Sequence, residues 1–568
     1  LYLIGGLYMS TSIQVNKQSV TELFESAKKK PFLIPEYQRP YAWEEEQVDT
    51  LFEDIWDYSL NYNNNMNDNY FLGSVVSFDN EFGNQEIIDG QQRITTLFLL
   101  LRAILHKLES MSSGKEVTFL TSRVSSLIWT TDPLTGEADT KSVLLKSNVI
   151  NNLGNQILQD ILITGITIDG NKDNYSKNYN YFLQKIEDKS TQEPFKIFKF
   201  IVALLDGCIL LPIKANSQDT ALTIFSTLND RGLALSDVDI FKAQMYNNLP
   251  SQERSHFITN WQNLIELADQ GGENIQNLFY YYMFYLRAKD DDKKTTTPGL
   301  RKYLGQNKFK AIKSSVIMDE LKLIGEFWSA LKVSNQSTVW ANNKEIKKFI
   351  DVLRSYPNDF WKYPVVIFYL KYHKDIDFVN KFKVFLKKLS VDAIMPYILT
   401  PTANAIKPAI LKLNSSIIHD TKPKFEFKVN MSDVKARYKD LPNNAVSLIL
   451  KLLVYRKQDE LLPDKWHIEH IFPKKYDSQY FNSSIENYIE MIGNKIPLES
   501  KLNIRASNNF FIEKRKEYAK SKIKVVNELG KSHSSWAQAE IESRTDRIAN
   551  TISNLQKDYT YEYDQTVF

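Results

Sequence analysis

Two stretches near the C-terminal end decide the fold expected there: Trp466–Pro473 reads WHIEHIFP, and Ile492–Asn503 reads IGNKIPLESKLN. Residues of alternating character through Trp466–Phe472 predict a short β-strand, whose neighbouring side chains point to opposite faces. Four polar residues stand at fixed places in these stretches: Glu469, His470, Asn494 and Asn503. A helix-like stretch, Asn508–Lys524, follows them.

These residue types fit the hydrolysis of a phosphodiester bond. A base must take a proton from water, and histidine, with an ordinary pKa of about 6.5, is the usual choice near neutral pH. A hard cation must offset the charge on the leaving oxygen. Mg²⁺ prefers oxygen ligands and accepts few from protein, so one carboxylate and one asparagine carbonyl are sufficient. The site also needs a group that orients the imidazole.

The segment resembles the ββα-metal fold of HNH (His-Me finger) nucleases. In that family an acidic residue stands immediately before the base histidine. An asparagine follows further along the chain, and a second, metal-binding asparagine comes nine positions after the first. The resemblance implies that His470 is the general base and that Glu469 and Asn503 bind Mg²⁺ or Mn²⁺. Asn494, counted with the catalytic residues, is expected to brace the loop beside the base. Glu469 departs from the commoner aspartate, and the role of His467 stays open.

A basic stretch surrounds the end of this motif. Between Lys501 and Lys524 there are eight basic and two acidic residues. Such a local excess is what a phosphate-contacting surface requires. The residues predicted to contact DNA are Lys514, Arg515, Lys516 and Lys520. The alternative is a solvated helix face without a nucleic-acid role.

A second motif lies near the N-terminal end, where Gln85–Thr96 reads QEIIDGQQRITT. It predicts a strand that ends at Asp89, a turn at Gly90 and a helix. Amide groups and the dipole at a helix start attract phosphate, and glycine lets the backbone come close. The arginine offers a bidentate fork. The predicted nucleotide contacts are Asp89, Gly90, Gln91, Gln92, Arg93 and Thr95, with Thr96 as an alternative hydroxyl. A tight turn with a buried Arg–Asp pair is the other interpretation.

Two more segments accompany this motif. Ile34–Trp43 reads IPEYQRPYAW, which two prolines stiffen, and Phe225–Asp239 reads FSTLNDRGLALSDVD. The side chains that they are predicted to add to the nucleotide site are Gln38, Arg39, Asn229 and Arg231. No Walker-type GxxxxGK[ST] sequence is present, so the site is not a P-loop.

Together the three segments resemble the DGQQR family of ParB-like nucleotide-binding domains, a likeness that covers about residues 10–250. In that family the domain stands upstream of an HNH domain, which is the order found here. The combination is similar to modification-dependent type IV restriction enzymes of the GmrSD type and to SspE-like nucleases that act on phosphorothioate DNA. Those bacterial anti-phage proteins hydrolyse NTPs and nick or cut foreign DNA. The resemblance therefore implies NTPase activity, with GTP, ATP, CTP and UTP all left open.

A chain of 568 residues predicts about three domains. We expect an α+β multidomain protein with a ParB-like α/β domain over 9–250. A mostly helical connecting region is predicted for 251–445. A ββα-metal (HNH) nuclease domain within helices is predicted for 446–568.

Composition narrows the class of protein. The formal net charge of +3 means that any DNA-binding surface must be local. The single cysteine, Cys208, excludes a disulfide within the chain and a cysteine-based zinc site. This usage fits a reducing bacterial cytoplasm. No apolar run reaches the roughly 18–20 residues of a membrane span, and Met9 is the expected initiator.

The sequence thus predicts an NTP-regulated, metal-dependent DNA endonuclease of bacterial defence that acts on foreign, in some cases modified, DNA. One alternative is a non-cutting ParB-like clamp or sensor that depends on NTP. Another is an RNA-cleaving toxin with the same nuclease residues. The expected partners are DNA and a nucleoside triphosphate, with no membrane. A homo-oligomer stays an option, and whether NTP activates or inhibits cutting is open.

Overall fold

The computed structural model describes residues 14–63, 69–132, 134–149, 152–168, 172–218, 220–222, 224, 237–332, 338–475 and 485–568. The chain splits into two compact units, which divide between Ile258 and Thr259. The helices after residue 259 and the C-terminal motif belong to the same unit. The predicted division into three domains stays a prediction.

The N-terminal unit is built on a mixed β-sheet. Its strands in the described residues are β1 (Gln14–Val15), β2 (Gln18–Ser19), β3 (Phe32–Ile34), β4 (Tyr70–Asp79), β5 (Gln85–Asp89), β6 (Trp129–Thr131), β7 (Ala138–Val143), β8 (Leu145–Ser147) and β9 (Cys208–Ala215). The sheet order is β1-β9-β4-β5-β3-β8, and β2 also pairs with β9. β4 and β5 are antiparallel, whereas β3 runs parallel to β5 and β8. β6 and β7 form a separate antiparallel pair.

Helices surround this sheet. They are α1 (Val20–Ala27), α2 (Glu45–Asn61), α3 (Gln91–Ser110), α4 (Lys115–Ile128), α5 (Asn152–Thr164), α6 (Asn174–Gln192), α7 (Lys196–Val202) and α8 (Asp237–Asn247). Apolar side chains cover nearly the whole circumference of α3, which is buried along most of its length, so this helix forms the centre of the core. The ring of Phe98 on α3 lies 4.7 Å from that of Phe24. The strand predicted to end at Asp89 is confirmed as β5.

The chain continues as a long series of helices, which confirms the mostly helical character predicted for this region. They are α9 (Ser251–Gly271), α10 (Ile275–Lys289), α11 (Leu300–Leu304), α12 (Gln306–Phe309), α13 (Ile317–Lys332), α14 (Lys344–Leu353), α15 (Lys362–Tyr372), α16 (Phe378–Leu399), α17 (Ala403–His419), α18 (Met431–Arg437) and α19 (Asn443–Tyr455). Aromatic rings fill much of the core, with Phe327 stacked on Trp340 at 5.4 Å and 4.8 Å from Tyr369. The many aromatic residues in this part of the chain therefore serve packing.

The C-terminal motif folds as strand, strand and helix. β10 (Trp466–His470) pairs antiparallel with β11 (Lys495–Glu499), and His470 lies opposite Lys495. α20 (Glu486–Ile489) precedes β11, and four helices follow it: α21 (Ser500–Ala506), α22 (Phe511–Tyr518), α23 (Lys524–Ser532) and α24 (Gln538–Gln565).

The single helix predicted over 508–524 is wrong in extent. A turn separates α22 from α23, and the side-chain amide of Asn527 donates to the carbonyls of Ala519 at 2.6 Å and Ser521 at 3.3 Å. These contacts satisfy backbone acceptors that a continuous helix would have used itself. In the part of the chain that the structure describes, no helix is both long and apolar enough to cross a membrane.

Candidate functional site

Asn494 joins the two strands of the hairpin just beyond the end of β10. Its side-chain amide donates to the carbonyls of Phe472 at 3.0 Å and Ile489 at 2.9 Å, and its Oδ1 accepts the Phe472 N–H at 2.7 Å. Its backbone carbonyl accepts the Ile471 N–H at 2.8 Å. Asn494 is fully buried, so its amide holds the loop after His470 and does not meet a substrate. This is the geometry that the predicted bracing role requires.

His470 stands at the end of β10 with part of its ring in solvent. Its side chain is 16% exposed, and Nε2 lies 3.4 Å from Oε2 of Glu490. Burial lowers the pKa of His470 to about 4, although the Glu490 carboxylate acts in the opposite direction. The imidazole is therefore neutral near pH 7, which is the state a general base needs.

Glu490 is a member of this site that the sequence analysis did not find. Lys474 Nζ lies 2.6 Å and Lys495 Nζ 2.8 Å from its carboxylate oxygens. Burial raises the pKa of Glu490, but hydrogen bonds from the two lysines outweigh it and lower the pKa to about 2. A permanently charged carboxylate thus faces the outer nitrogen of His470. No local pattern marks Glu490, which lies 20 positions from the histidine.

Glu469 points into the protein and is only 7% exposed. Its Oε1 accepts a hydrogen bond from the Tyr518 hydroxyl at 2.9 Å and lies 2.7 Å from Lys514 Nζ. Burial and the Glu469 charge raise the pKa of Tyr518 well above its ordinary value, so the phenol stays a donor. Among the described residues Oε2 accepts no hydrogen bond.

Asn503 lies on α21, which packs on both strands of the hairpin. Its Oδ1 is buried and has no hydrogen-bond partner among the described residues. A buried acceptor without a protein partner is uncommon and is available to a bound water or ligand. An amide oxygen such as this one and a carboxylate oxygen are ligand types that Mg²⁺ accepts. In the described part of the chain no cluster of three or more His, Cys, Asp or Glu offers a fuller metal site.

The prediction that Lys514 contacts DNA is wrong. Lys514 is 1% exposed, and besides pairing with Glu469 it donates to the carbonyl of His470 at 2.6 Å. Lys514 and Tyr518 lie one turn apart on α22, so the face of the helix that they share is the one turned toward β10. Burial lowers the pKa of Lys514. This lysine therefore fixes the hairpin to the helix.

The other three predicted DNA contacts differ among themselves. Arg515 is half-buried, and its Nε donates to the Gly530 carbonyl at 3.3 Å, so it serves mainly the α22–α23 packing. Lys516 and Lys520 are exposed, each paired with a glutamate three positions earlier on the helix. Exposed pairs of this kind are worth about 1 kcal/mol or less, so both ammonium groups remain accessible to a phosphate.

In the N-terminal unit the parallel strands β3 and β5 bring two predicted segments together. The ends of parallel strands meet at one edge of a sheet, where ligands commonly bind. Here the residues after β3 lie beside Asp89 and Gly90, and Gln38 donates to the Ile88 carbonyl at 3.1 Å. Oε1 of Gln38 is buried and has no partner among the described residues. Gly90 has φ +88° and stands directly before α3.

Three charged groups lie at this edge. Burial raises the pKa of Asp89, and the Gly90 amide with the Arg93 and Arg39 charges offsets only part of that effect. Arg93 lies against the backbone of Gly73 and donates to the Ser74 carbonyl at 2.9 Å; it makes no ion pair within the described residues. Arg39 is half-buried and makes no hydrogen bond there either. Two cations therefore stand near the start of α3 without a bonded carboxylate.

The side chains of Gln92 and Thr96 make hydrogen bonds to other parts of the protein, which corrects the prediction that they contact a nucleotide. Oε1 of Gln92 accepts the N–H groups of Ala42 at 2.7 Å and Trp43 at 3.2 Å. The hydroxyl groups of Thr96 and Tyr41 share a hydrogen bond of 2.7 Å. Both side chains thus fix the segment after β3 to α3. Gln91 and Thr95 are also buried, and Asn229 and Arg231 lie outside the described residues.

Replacing Gly90 with alanine is expected to destabilise the protein more than the same change at Gly83. Both glycines have positive φ, +88° and +76°, a conformation that costs a non-glycine residue about 1–2 kcal/mol. A Cβ at Gly90 would also meet the Ser74 carbonyl at 3.1 Å, whereas at Gly83 nothing lies within 4 Å. Urea unfolding of the two variants measures the difference. Equal losses would contradict a close backbone approach at Gly90.

Comparison with known protein families covers both units. Residues 20–246 match the model of the N-terminal domain of GmrSD restriction endonuclease. Residues 422–551 match that of the C-terminal domain of GmrSD restriction endonucleases. No curated protein matches the chain. The two matches define a restriction endonuclease with both of its domains on one chain.

The chain belongs to the GmrSD restriction endonuclease family. It is thus a DNA endonuclease of the type IV restriction class, which acts in defence against phage. Membership of this family favours a DNA-cutting enzyme over the alternative of a DNA clamp that does not cut.

Proposed function

We propose that this chain is an NTP-regulated, metal-dependent endonuclease of the HNH type that works in the bacterial cytoplasm. The observation that carries the proposal is the hairpin–helix unit of β10, β11 and α21. It presents a neutral, partly exposed His470 on the strand that also carries Glu469. The packed helix adds the unpartnered oxygen of Asn503.

In the proposed reaction His470 takes a proton from the attacking water. Asn494 holds the loop that follows the base, and the charged Glu490 faces Nε2 and favours the imidazolium formed in the step. Mg²⁺ or Mn²⁺, when bound by Glu469 and Asn503, would offset the charge on the leaving 3′ oxygen. Lys516 and Lys520 are exposed cations available to the DNA backbone.

The regulatory nucleotide is proposed to bind where β5 meets α3. Support comes from the left-handed Gly90 at the start of α3, because the unbonded amide groups and the dipole of a helix start attract phosphate. The cations Arg39 and Arg93 near Asp89 favour the same ligand. The unpartnered Oε1 of Gln38 offers an acceptor beside them.

Cleavage of modified and unmodified DNA, each with and without NTP, tests the proposal. Reactions with Mg²⁺ or Mn²⁺ should give strand breaks, and an excess of EDTA should abolish them. The same reactions with RNA separate a DNA nuclease from a toxin. Full cutting in EDTA would reject the metal, and cutting that ignores every NTP would reject nucleotide control.

Arg39→Gln is expected to lower NTP turnover without loss of stability. Its guanidinium makes no hydrogen bond to described residues, and a bond to a charged group is worth about 1.5–3 kcal/mol, about ten- to a hundred-fold in affinity. Arg93→Gln is the matched comparison and should lower both turnover and melting temperature, because it also removes the bond to Ser74. The rate of NTP hydrolysis and the melting temperature of each variant test this prediction. Normal turnover in both variants would exclude nucleotide binding at this edge.

A further inference from the structure

A basic cavity of about 330 Å³ lies between α19, β11, α23 and α24 in the C-terminal unit. Four of its lining side chains are formally positive: Arg456, Lys457, Arg544 and Arg547. The one lining carboxylate is Glu528, and it pairs with Lys457 at 2.8 Å. Three positive charges are therefore left without a carboxylate among the lining residues.

Arg544 forms the inner wall of this basic cavity. It is 9% exposed, and its Nη1 donates to the carbonyls of Ile492 at 3.2 Å, Gly493 at 2.7 Å and Lys495 at 2.8 Å. Within the described residues, Nε and Nη2 make no hydrogen bond, and the guanidinium has no ion pair. Arg544 is one of the residues that line the cavity, which places its guanidinium beside that space.

A buried cation without a counter-charge is unfavourable. Buried charges in proteins are normally paired, because the loss of hydration is otherwise uncompensated. Burial, with the neighbouring Arg547, lowers the pKa of Arg544 to about 9. An anion in the cavity would relieve this cost and would occupy the donors that Nε and Nη2 leave unused.

We infer that the basic cavity binds a phosphate group, held by Arg544 from inside and by the exposed Arg456 and Arg547 at the rim. A planar guanidinium with free donors matches the oxygens of a phosphate, and the cavity is large enough for one. The phosphate belongs either to the DNA backbone or to a free nucleotide, since both present the same oxyanion. The site lies beside Pro497 of β11 and does not include the residues proposed for cutting.

Binding here also reaches the proposed catalytic hairpin. Arg544 holds the carbonyls around Asn494, and Asn494 holds the loop after His470. A phosphate that fixes the guanidinium therefore stabilises the turn before β11. This consequence rests on the proposed function, whereas binding itself is independent of it.

Thermal unfolding of the full chain in inorganic phosphate, against chloride at equal ionic strength, tests the cavity directly. Phosphate should raise the melting temperature of the unaltered protein. The rise should shrink in the double variant Arg456→Gln, Arg547→Gln, which changes exposed side chains and leaves Arg544 in place. The matched control is Arg437→Gln, Lys439→Gln, two exposed cations outside the cavity. Equal rises in the cavity variant and this control would overturn the inference.

Two binding arms identify the source of the phosphate. For a DNA backbone, the cavity variant binds a fluorescent duplex less tightly, and the slope of log K against log salt falls by about 0.9 per lost contact. If the phosphate belongs to a nucleotide, the cavity variant instead binds a fluorescent GTP or ATP analogue less tightly. Glu528→Gln, which frees Lys457, should tighten whichever ligand binds. Unchanged binding of all probes in these variants would overturn the inference, and because no cleavage is measured, a failed nuclease assay would not.

Discussion

His470→Ala is expected to reduce DNA cleavage by about two to four orders of magnitude, the range typical for loss of a general base. The side chain is partly exposed, and its pKa of about 4 keeps it unprotonated at neutral pH. Its removal deletes the proposed proton acceptor and breaks only one long contact, to Glu490. Melting temperature and NTP hydrolysis should stay unchanged. Initial rates of plasmid nicking with Mg²⁺ measure the effect.

His467→Ala is the matched control, because this exposed histidine stands on the same strand and has no hydrogen bond within the described residues. It should cut at close to the normal rate. Rates that fall equally in both variants would point to a role for the strand instead of a base. Undiminished cutting by His470→Ala would remove the assignment altogether.

Lys514→Met is expected to destabilise the protein by about 3–5 kcal/mol, because it leaves the buried Glu469 carboxylate without its cation. Methionine keeps most of the volume and loses the charge, so the effect reports electrostatics more than packing. The hydrogen bond from Lys514 to the His470 carbonyl is lost as well. Urea unfolding of the variant measures the free energy.

The double variant Glu469→Gln, Lys514→Met separates stability from catalysis. With the charge removed from both partners, most of the lost stability should return, since neutral replacements of a buried pair are often tolerated. Cutting should not return if Glu469 helps to hold the metal. A double variant that regains both stability and cleavage would show that the carboxylate serves structure alone.

The hairpin and its polar residues were accessible from sequence because they form a local pattern. Asn494 could be assigned a bracing role through the resemblance to HNH nucleases, whose motif covers its position. Glu490 and Tyr518 could not, since each reaches the site from another element, through contacts 20 and 49 positions apart. The prediction for Lys514 is wrong for the same reason. A charged side chain is usually expected to be exposed to solvent, whereas the packing of α22 on β10 buries Lys514.

The N-terminal motif shows the same division. The β5–Gly90–α3 sequence predicts its own geometry, because a strand, a left-handed glycine and an apolar helix follow each other directly. The roles of Gln92 and Thr96 depend on where the segment after β3 meets α3. The residues next to them in the sequence do not predict that position. Polar residues at a helix start can equally hold a loop or a ligand, and the fold decides between them.

The turn before β11 is secured by the guanidinium of Arg544, which comes from a helix made much later in translation. A nascent polypeptide that has left the ribosome only as far as β11 lacks that support. We expect the turn before β11 to stay loosely held in such an unfinished chain until α24 has been synthesised.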